Sequence, residues 1–350
     1  MAGRIALVIG SLLFGLIVLE LGVRLARSPE WLVRWPNLVL QERIGTKAAG
    51  ASRLVYDSRL GFAARPGFSA GDLTYDQRGF RVTPAPASQM LAEPPILVVG
   101  DSYAHGDEVA DGETWAALLQ PLVRRRVVNG AFSGCGFDQI VLRAETGAAD
   151  LKPAAIILSF IADDLRRSEM KRVWGAEKPY FELVNGAAVL RNVPVPPSPA
   201  PRATLTPAQW VLGYSLLVDT VLRHQGWQYE WALDHERAIP RGDGERLACL
   251  LLKRVATLGL PTLVVAEYDP WLWQDADNAR EQRRVTGLVL KCAADAGLAT
   301  LDLFDTMDAA VKAQGRDAIY RSLHPSPAGT KLAAEKIAAA FTNLYIPPAR

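Results

Sequence analysis

Residues 96–102 read Ile96-Leu97-Val98-Val99-Gly100-Asp101-Ser102 and are the clearest indication of the architecture of this chain. Its four apolar residues predict a strand buried on both faces, since parallel sheets covered by helices read as continuous hydrophobic runs. The glycine and the acid that follow predict a turn, with the Ser102 hydroxyl just beyond the carboxyl end of the strand. Far downstream, Leu323-His324-Pro325 precedes an alanine-rich helical pattern. Because active sites of such sheets lie at the carboxyl ends of the strands, the sequence predicts that Ser102 and His324 share that edge.

Short apolar runs alternate with helical patterns over the rest of the chain. The predicted strands are Ile96–Val99, Val127–Val128, Ala155–Ser159, Thr262–Ala266 and Thr300–Leu303. The predicted helices lie at about 113–123, 138–149, 243–258, 277–296, 305–314 and 327–344, each with apolar residues at helical spacing. This alternation predicts an α/β fold in three layers, with a five-stranded parallel sheet between two layers of helices.

The composition is that of a globular protein and argues against several classes of function. The 350 residues are 49% hydrophobic and 22% charged, and 39 basic against 37 acidic side chains give a formal charge of +2. Because no basic tract with interleaved aromatics accompanies this balance, we expect no nucleic-acid partner. The four histidines show no ligand spacing with acids, so that neither a metal nor a cofactor is expected. The cysteines, Cys135, Cys249 and Cys292, form neither a disulfide framework nor a zinc pattern and are expected to be core residues.

An apolar run near the N-terminus predicts a membrane span. Ile5–Val23 is interrupted only by Ser11 and Glu20, and it has about the length that a helix needs to cross a bilayer. A signal peptide would have a shorter apolar region and a small-residue cleavage site, so the run is predicted to be an uncleaved single-pass anchor. Glu20 lies near the end of the span, where its carboxylate can reach the interface or pair with Arg24.

The rest of the chain divides by its turn signals and periodicity. The predicted parts are an anchor at 1–27, a linker and capping region at 28–93, and a domain at 94–345 with an insertion at about 170–242. Within the insertion, Asn185-Gly186 lies between two apolar runs, which is the strongest short signal for a hairpin. An apolar helix is predicted near 208–224. We expect the insertion to form part of the rim of the site.

Further residues with chemical potential follow the second, third and fourth predicted strands. Gly134 lies in a glycine-rich loop, where its N–H can point into the site or the glycines can serve turn geometry alone. The third strand runs into Asp163 and Asp164, two acids at the same edge, although Asp164 can equally cap a helix. The fourth strand leads to Trp271 and Trp273, whose rings can stack on a sugar or pack within the rim.

These blocks, in this order, resemble the SGNH branch of the GDSL hydrolase superfamily over about residues 94–344. The matching stretches are Gly100-Asp101-Ser102-Tyr103-Ala104-His105-Gly106, Asn129-Gly130-Ala131-Phe132-Ser133-Gly134, Ala162-Asp163-Asp164, and His324-Pro325 with Gly329. The upstream Gly79-Phe80-Arg81 and the N-terminal span resemble bacterial membrane-anchored members. The resemblance implies a flavodoxin-like sheet, Ser102 as nucleophile, His324 as base, and the N–H groups of Ser102 and Gly134 as oxyanion donors.

Two positions depart from the pattern of that family. Its third block has an asparagine that donates to the oxyanion, whereas this chain has Asp163, which could donate only if burial kept it protonated. The family also has an acid two or three residues before the histidine, where this chain has Arg321 and Ser322. Something else must then orient His324, with Ser322, a backbone carbonyl or Asp317 as candidates. The further candidate supporting acids are Asp101 and Asp164.

The charges around the span and the resemblance imply opposite topologies. Arg24, Arg27 and Arg34 follow the span, whereas only Arg4 and the amino terminus precede it. Taken literally, the positive-inside rule would put the large domain in the cytoplasm. The resemblance implies an exported domain instead, in the periplasm or outside the cell, and we expect that orientation.

The sequence therefore predicts a membrane-tethered serine esterase that works through an acyl-enzyme. The expected substrate is an acylated glycan, with acetyl as the expected acyl group, or else a small ester. Two alternatives stay open. One is a catalytically inactive protein of the same fold that binds glycans or acts as a scaffold, and the other is an O-acetyltransferase that uses the same serine.

Overall fold

The computed structural model describes residues 2–39, 53–84, 92–173, 176–197, 205–225, 227, 231, 242–342 and 344. They form two compact units. The first, called the anchor unit below, contains Met1–Ala51, Met170–Glu177 and Ser198–Arg241. The second, called the sheet unit, contains Ser52–Glu169, Lys178–Pro197 and Gly242–Arg350.

The elements are numbered in chain order over both units. The strands are β1 (Leu54–Asp57), β2 (Gly61–Ala64), β3 (Ser69–Ala70), β4 (Leu73–Thr74), β5 (Ala92–Val99), β6 (Arg125–Asn129), β7 (Ala155–Phe160), β8 (Arg172–Val173), β9 (Ala176–Glu177), β10 (Tyr180–Val184), β11 (Ala187–Arg191), β12 (Thr262–Ala266) and β13 (Ala299–Asp302). The helices are α1 (Ala2–Arg27), α2 (Ser102–His105), α3 (Trp115–Val123), α4 (Phe137–Leu151), α5 (Ala162–Ser168), α6 (Pro207–Leu212), α7 (Leu216–His224), α8 (Asp243–Ala256), α9 (Ala276–Asp295), α10 (Phe304–Gln314), α11 (Arg316–Ile319) and α12 (Pro327–Phe341). Short 3₁₀ turns cover Pro29–Leu32, Asp111–Glu113 and Pro270–Trp273.

The sheet unit is built on a five-stranded parallel sheet in the order β13-β12-β7-β5-β6. β5 pairs with β6 on one side and β7 on the other, and Val98 is in register with Ile157 of β7. β7, β5 and β12 read as near-continuous apolar runs because helices cover both faces of the sheet. The five predicted strands and the parallel sheet are confirmed, with boundaries that move by a few residues.

Two layers of helices enclose the sheet, which makes the predicted three-layer α/β/α architecture. Ile96 and Val98 of β5 belong to the core on one face, together with Trp115 of α3 and residues of α10 and α12. Leu97 points to the other face, where α4 approaches so closely that a Cβ on Gly147 would lie 2.6 Å from the Leu97 side chain. Successive residues of a strand point to opposite faces, so one apolar run serves both cores.

The sheet unit also contains short antiparallel pairs of strands. β1 pairs with β2 and β3 with β4. The hairpin predicted from Asn185-Gly186 is confirmed as β10 and β11, with both turn residues at positive φ. That geometry suits the type I′ turn, in which asparagine and glycine tolerate left-handed backbone.

The anchor unit begins with α1, an apolar helix whose residues Gly3–Arg27 are long enough to cross a bilayer, with a mean hydropathy of 2.4. The single apolar helix expected near 208–224 is wrong, because the chain there forms two helices, α6 and α7. Gly213 ends the first, where a Cβ would lie 2.3 Å from the Gln209 carbonyl oxygen. The Ser215 hydroxyl begins the second by accepting the Val218 N–H at 3.1 Å.

The expectation that all three cysteines are unpaired core residues is also wrong. Cys249 of α8 and Cys292 of α9 form a disulfide, with their Cα atoms 5.1 Å apart, whereas Cys135 is a free buried thiol. The paired cysteines are 43 positions apart in the chain, a separation that matches no spacing motif. Only the packing of α8 against α9 brings the two thiols within the distance that a disulfide requires.

Candidate active site

Ser102 lies where β5 turns into α2, at the carboxyl edge of the sheet. The turn needs glycine at position 100, because a Cβ there would lie 2.5 Å from the Ala104 methyl and 3.0 Å from the Ser159 carbonyl oxygen. The buried Asp101 carboxylate begins the helix by accepting the Tyr103 N–H at 2.9 Å. Ser102 itself is 8% exposed. Little of its side chain is therefore open to solvent.

His324 meets Ser102 at this edge, as the sequence predicts. The Nε2 atom of His324 is 2.9 Å from the Ser102 Oγ atom, although 222 residues separate them. The Tyr103 hydroxyl donates to the Leu323 carbonyl oxygen at 2.6 Å, and the Tyr103 ring packs against the imidazole with centroids 5.1 Å apart. These contacts hold the turn before α12 against the helix that begins with Ser102.

Glu108 faces the other ring nitrogen of His324, a contact that the sequence reasoning missed. The distance from His324 Nδ1 to Glu108 Oε1 is 3.5 Å, which is an ion-pair distance and too long for a good hydrogen bond. Within the described residues, Nδ1 has no closer hydrogen-bond acceptor. The short loop Asp107-Glu108 after α2 was the available signal, since it puts two acids within six residues of Ser102.

The Glu108 carboxylate is prepared as an anion. Burial raises the pKa of Glu108, but the hydrogen bond from the Ser322 hydroxyl and the charge of His324 lower it by more. The net pKa therefore lies below its usual value. The Ser322 N–H also donates to this carboxylate, at 3.2 Å. The backbone of Glu108 has φ +69°, a left-handed conformation that is unusual for this residue type and is found where the surroundings impose it.

Arginine side chains from the segment before β5 and from the histidine turn impose that loop conformation. The buried Arg81 guanidinium donates to the carbonyl oxygens of His105 at 2.9 Å and Val109 at 2.6 Å, on either side of Glu108. It also pairs with Asp111 at 3.0 Å. Arg321 donates to the Glu108 carbonyl oxygen itself. Arg321, which occupies a position where the SGNH pattern has an acid, thus helps to hold the loop that carries Glu108.

None of the candidates predicted to orient His324 hydrogen-bonds to its Nδ1 atom among the residues that the structure describes. Ser322 hydrogen-bonds to Glu108. Asp317 is an exposed carboxylate that pairs with its neighbour Arg316. The structure therefore places a carboxylate beside the histidine, but it comes from the loop after the nucleophile helix.

The loop after β6 approaches the Ser102 turn with Gly134 in left-handed backbone, at φ +76°. Its neighbours fix it, since the Phe132 N–H donates to the Gly100 carbonyl oxygen at 3.2 Å and the Ser133 hydroxyl donates to Asp107 at 2.8 Å. Asp107 also pairs with Arg53 at 3.0 Å. One carboxylate thus ties the loop of Gly134 to the loop that carries Glu108.

A second histidine lies beneath this loop, fully buried. The Nδ1 atom of His105 is 2.6 Å from Asp107, and its Nε2 atom is 2.9 Å from the Tyr75 hydroxyl. Burial lowers the pKa of His105 and raises that of Tyr75 to about 12. A neutral imidazole therefore satisfies both contacts, donating to Asp107 and accepting from Tyr75.

The acids after β7 form ion pairs around one buried arginine. Arg167 is 2.8 Å from Asp163, 2.9 Å from Asp164 and 3.8 Å from Asp101. Asp164 also accepts the Ile161 N–H at 3.0 Å, which is the helix-capping role that the sequence left open. Asp163 pairs with Arg166 as well, at 2.5 Å. Two guanidinium groups favour an ionised Asp163, whereas a hydrogen-bond donor at that position would have to be protonated.

The two tryptophans expected at the substrate rim differ in exposure. Trp271 is 49% exposed, on the turn that follows β12. Trp273 is partly buried: its ring packs on Tyr320 with centroids 5.1 Å apart, and its Nε1 atom donates to Asp308 at 3.2 Å. Trp271 is the one whose ring is available to a ligand.

Glu267, also at the end of β12, is a buried acid that sequence reasoning did not select. It accepts a hydrogen bond from the Ser159 hydroxyl at 2.5 Å and is 2% exposed. Its pKa is raised to about 7, chiefly by burial; the hydrogen bond from Ser159 opposes the rise and the charge of Asp101 adds to it. No salt bridge joins Glu267 to any of the residues that the structure describes.

Neither a protein-family model nor a curated protein sequence matches the chain. Solved structures do match it. They include an α/β hydrolase from the metagenome of Lake Arreo, Spain, at 16% identity and TM-score 0.45, covering 72% of this chain and 97% of that one. An acetylxylan esterase from Geobacillus stearothermophilus, studied as a catalytic mutant, matches at 14% identity and TM-score 0.47, with 75% and 100% covered. A psychrotrophic esterase from Pseudoalteromonas matches at 13% identity and TM-score 0.42, with 71% and 97% covered. These are distant likenesses.

Proposed function

We propose that the chain is an SGNH-type esterase in which Ser102 is the nucleophile. The observation that carries this proposal is the distance of 2.9 Å between Ser102 Oγ and His324 Nε2 at the carboxyl edge of a parallel sheet. A serine hydroxyl is a weak nucleophile unless a base within hydrogen-bond reach takes its proton. The ordered sequence blocks around both residues support the same assignment.

The reaction proceeds in two steps. In the first, His324 Nε2 takes the Ser102 proton as Oγ attacks the ester carbonyl carbon, and the N–H groups of Ser102 and Gly134 hold the oxyanion. The proton then passes to the departing alcohol, which leaves an acyl-enzyme. In the second step, His324 takes a proton from water as the water oxygen attacks the acyl carbon, and it then gives that proton to Ser102 Oγ as the bond to the acyl carbon breaks and the acid is released.

Glu108 acts in both steps as the acid that orients His324. When Nε2 takes the proton, the imidazole becomes a cation whose Nδ1–H points at the anionic Glu108 carboxylate. A shortening of the present 3.5 Å separation by a few tenths of an ångström would make this a charge-assisted hydrogen bond. Catalytic hydrogen bonds are often long before substrate binds and tighten in the complex.

The proposed substrate is a small acyl ester on a carbohydrate, with acetyl as the acyl group. The low exposure of Ser102 favours a short acyl chain, and the exposed ring of Trp271 offers a stacking surface for a sugar. The comparison of p-nitrophenyl acetate with p-nitrophenyl octanoate tests the acyl part. A higher kcat/KM for the acetate supports the proposal, and a preference for the octanoate contradicts it.

We further propose that α1 tethers the protein to a membrane and that the sheet unit is exported. The length and hydropathy of α1 support the tether. The disulfide between Cys249 and Cys292 supports export, because disulfides persist in oxidising compartments and are rare in the cytoplasm.

Counting thiols tests the exported topology. Cells are quenched with acid, and denatured protein is alkylated with maleimide-polyethylene glycol before or after reduction. One modified cysteine before reduction and three after it are expected, since Cys135 is the free thiol. Three modified cysteines without a reductant would contradict export.

Burst kinetics test the enzymatic function. With p-nitrophenyl acetate, wild-type protein should release about one equivalent of nitrophenol per site in the first turnover if deacylation is slower than acylation, and turn over steadily afterwards. The Ser102→Ala variant should do neither while keeping its melting temperature. Equal turnover in both proteins would overturn the assignment of Ser102.

The departures at Asp163 and Arg321 favour a second candidate, an inactive member of the fold that binds glycans. No acylation of Ser102 by any ester, together with binding of an acetylated oligosaccharide, would favour that reading. An acetyltransferase would use the same acyl-enzyme but pass the acyl group to a sugar hydroxyl. Acetyl transfer to an added oligosaccharide in preference to water would identify it.

A further inference from the structure

The anchor unit carries a group of large apolar side chains that its own fold leaves uncovered. We call this group the apolar collar and define it as Trp35, Trp210, Val211, Leu212, Tyr214 and Trp227, which are 40% to 72% exposed. Scattered single apolar residues are ordinary on a protein surface, but consecutive ones are not. Trp210, Val211 and Leu212 are consecutive at the end of α6.

Buried polar contacts fasten the collar to the end of α1. The Glu20 carboxylate accepts the Ser215 hydroxyl at 2.7 Å and the N–H groups of Leu216 and Leu217 at 2.9 Å each, so that a residue of α1 caps the start of α7. Carboxylates are favoured at helix N-termini, where backbone N–H groups lack partners. The predicted pair of Glu20 with Arg24 is confirmed at 2.5 Å.

Arg24 completes this attachment from within the unit. Its guanidinium is buried and donates to the carbonyl oxygens of Trp31 at 2.9 Å, Arg34 at 2.6 Å and Tyr214 at 2.6 Å. It also lies 3.3 Å above the centre of the Trp35 ring. The charged groups of Glu20 and Arg24 therefore bind each other and the segments that carry the collar. These bonds offset the free energy that unpaired charges would cost near lipid.

The position of these contacts along α1 sets the depth of the collar. Glu20 lies three residues before Val23, where the apolar run ends. At a rise of about 1.5 Å per residue, its Cα lies about 5 Å along the axis from that end. The backbone that carries Tyr214 and begins α7 is thus held at the level of the last turn of the span. Tryptophan and tyrosine are the residues enriched at that level of a membrane protein.

We propose that the apolar collar lies in the membrane interface, against the boundary between lipid headgroups and acyl chains, at the end of the span formed by α1. The anchor would then hold the bilayer by one spanning helix and by a second contact that runs along the surface. The insertion supplies that contact through α6 and α7, which gives it a role in addition to the rim predicted from sequence. This inference rests on the membrane tether proposed above.

Nitroxide scanning of the full-length protein in phosphatidylcholine nanodiscs tests the inference. A label at Leu212→Cys reports on the collar, and a label at Leu122→Cys in the sheet unit is its matched control, since both leucines lie on helices and are 44% and 49% exposed. A third label at Leu12→Cys, in the middle of α1, reports on the tether alone. The native cysteines do not interfere, because two form the disulfide and Cys135 is buried.

The readout is relaxation by oxygen, which concentrates in lipid, against relaxation by a nickel chelate, which stays in water. Oxygen should dominate at 12 and 212, and the nickel chelate at 122. Nickel access at 212 with oxygen at 12 would overturn the collar and leave the tether standing. Nickel access at 12 would overturn the tether, and the collar with it. An immobilised label at 212 that neither reagent reaches would mean that a protein surface covers the collar, which also contradicts the proposal.

Discussion

One histidine, His105, ends the short helix that begins with Ser102, and the other, His324, contacts Ser102 from the turn before α12; they differ in how tightly their neighbours hold them. His105 is fully buried, and both of its ring nitrogens are bonded, to Asp107 at 2.6 Å and Tyr75 at 2.9 Å. His324 has one nitrogen 2.9 Å from Ser102, while the other is 3.5 Å from Glu108. The acids of the two pairs, Asp107 and Glu108, are adjacent in the chain.

In the proposed mechanism, the difference separates a structural histidine from a catalytic one. Both ring nitrogens of His105 are bonded inside the core, which suits a role in positioning the loop. His324 has one nitrogen on the proposed nucleophile and the other near an anion that could approach when charge develops. The loop from Gly106 to Asp111 contributes to both pairs, because it carries Asp107, which His105 contacts, and Glu108, which faces His324.

The largest expected effect comes from replacing each of the two histidines in turn. His324→Gln should lower kcat/KM for p-nitrophenyl acetate by about 10⁴-fold or more, as removal of a triad base does, with an unchanged melting temperature. His105→Gln should instead reduce the free energy of unfolding by about 1–3 kcal/mol, since buried polar partners lose their hydrogen bonds. Steady-state kinetics and thermal melts of both variants check this contrast. A stable, fully active His324→Gln variant would refute it.

The next largest effect is expected from substitution of Glu108, the acid that faces His324. Glu108→Gln should lower kcat by about 10²–10⁴-fold, since the amide cannot stabilise the imidazolium, while KM changes little. Asp317→Asn, which changes the exposed acid nearest in sequence to the histidine turn, is the matched control and should keep wild-type kinetics. A larger loss of kcat in Asp317→Asn than in Glu108→Gln would instead assign the orienting role to Asp317.

Two buried acids, Asp107 and Glu267, also differ in how their neighbours hold them. Asp107 lies buried with His105 and Arg53, and these partners hold its pKa far below the usual value despite burial. Among the residues that the structure describes, Glu267 has no charged partner of this kind, and burial raises its pKa from 4.5 to about 7. Between pH 4.5 and 7, Glu267 is ionised in the unfolded chain but still protonated in the folded protein. The free energy of unfolding should therefore fall as the pH rises through this range and then stay lower by about 3 kcal/mol. Below pH 4.5 both states are protonated and the term vanishes.

Glu267→Gln should remove that pH dependence. The amide oxygen can still accept from Ser159, so the variant should gain stability relative to the wild type at pH 8 and not at pH 4. Urea unfolding at a series of pH values measures the difference. An equal pH slope in both proteins would show that Glu267 is already ionised in the fold.

The smallest effect concerns Asp163. Asp163→Asn should provide a neutral amide where the SGNH pattern has its third oxyanion donor, and kcat should rise by up to about tenfold. Loss of the pairs with Arg166 and Arg167 sets the limit of that gain, so thermal melts accompany the kinetics. A lower or unchanged kcat in a stable variant would remove position 163 from the oxyanion site.

The sequence was informative wherever one residue type repeats over a short stretch. The buried strands could be predicted because each is a continuous apolar run, and the contact between Ser102 and His324 because each residue lies in a distinctive block after or before such an element. Glu108 could not be read this way. Its contact with His324 exists only once Arg81 and Arg321 fix a left-handed loop between them. The same holds for the disulfide, whose cysteines are brought together by helix packing.

Covalent labelling with a fluorophosphonate, followed by peptide mapping, tests most directly whether Ser102 is a nucleophile activated by His324. We expect one modified residue, Ser102, with labelling lost in Ser102→Ala, strongly slowed in His324→Gln and unaffected in His105→Gln at a temperature where that variant is folded. Labelling of another residue, or labelling of Ser102 at the same rate without His324, would contradict it.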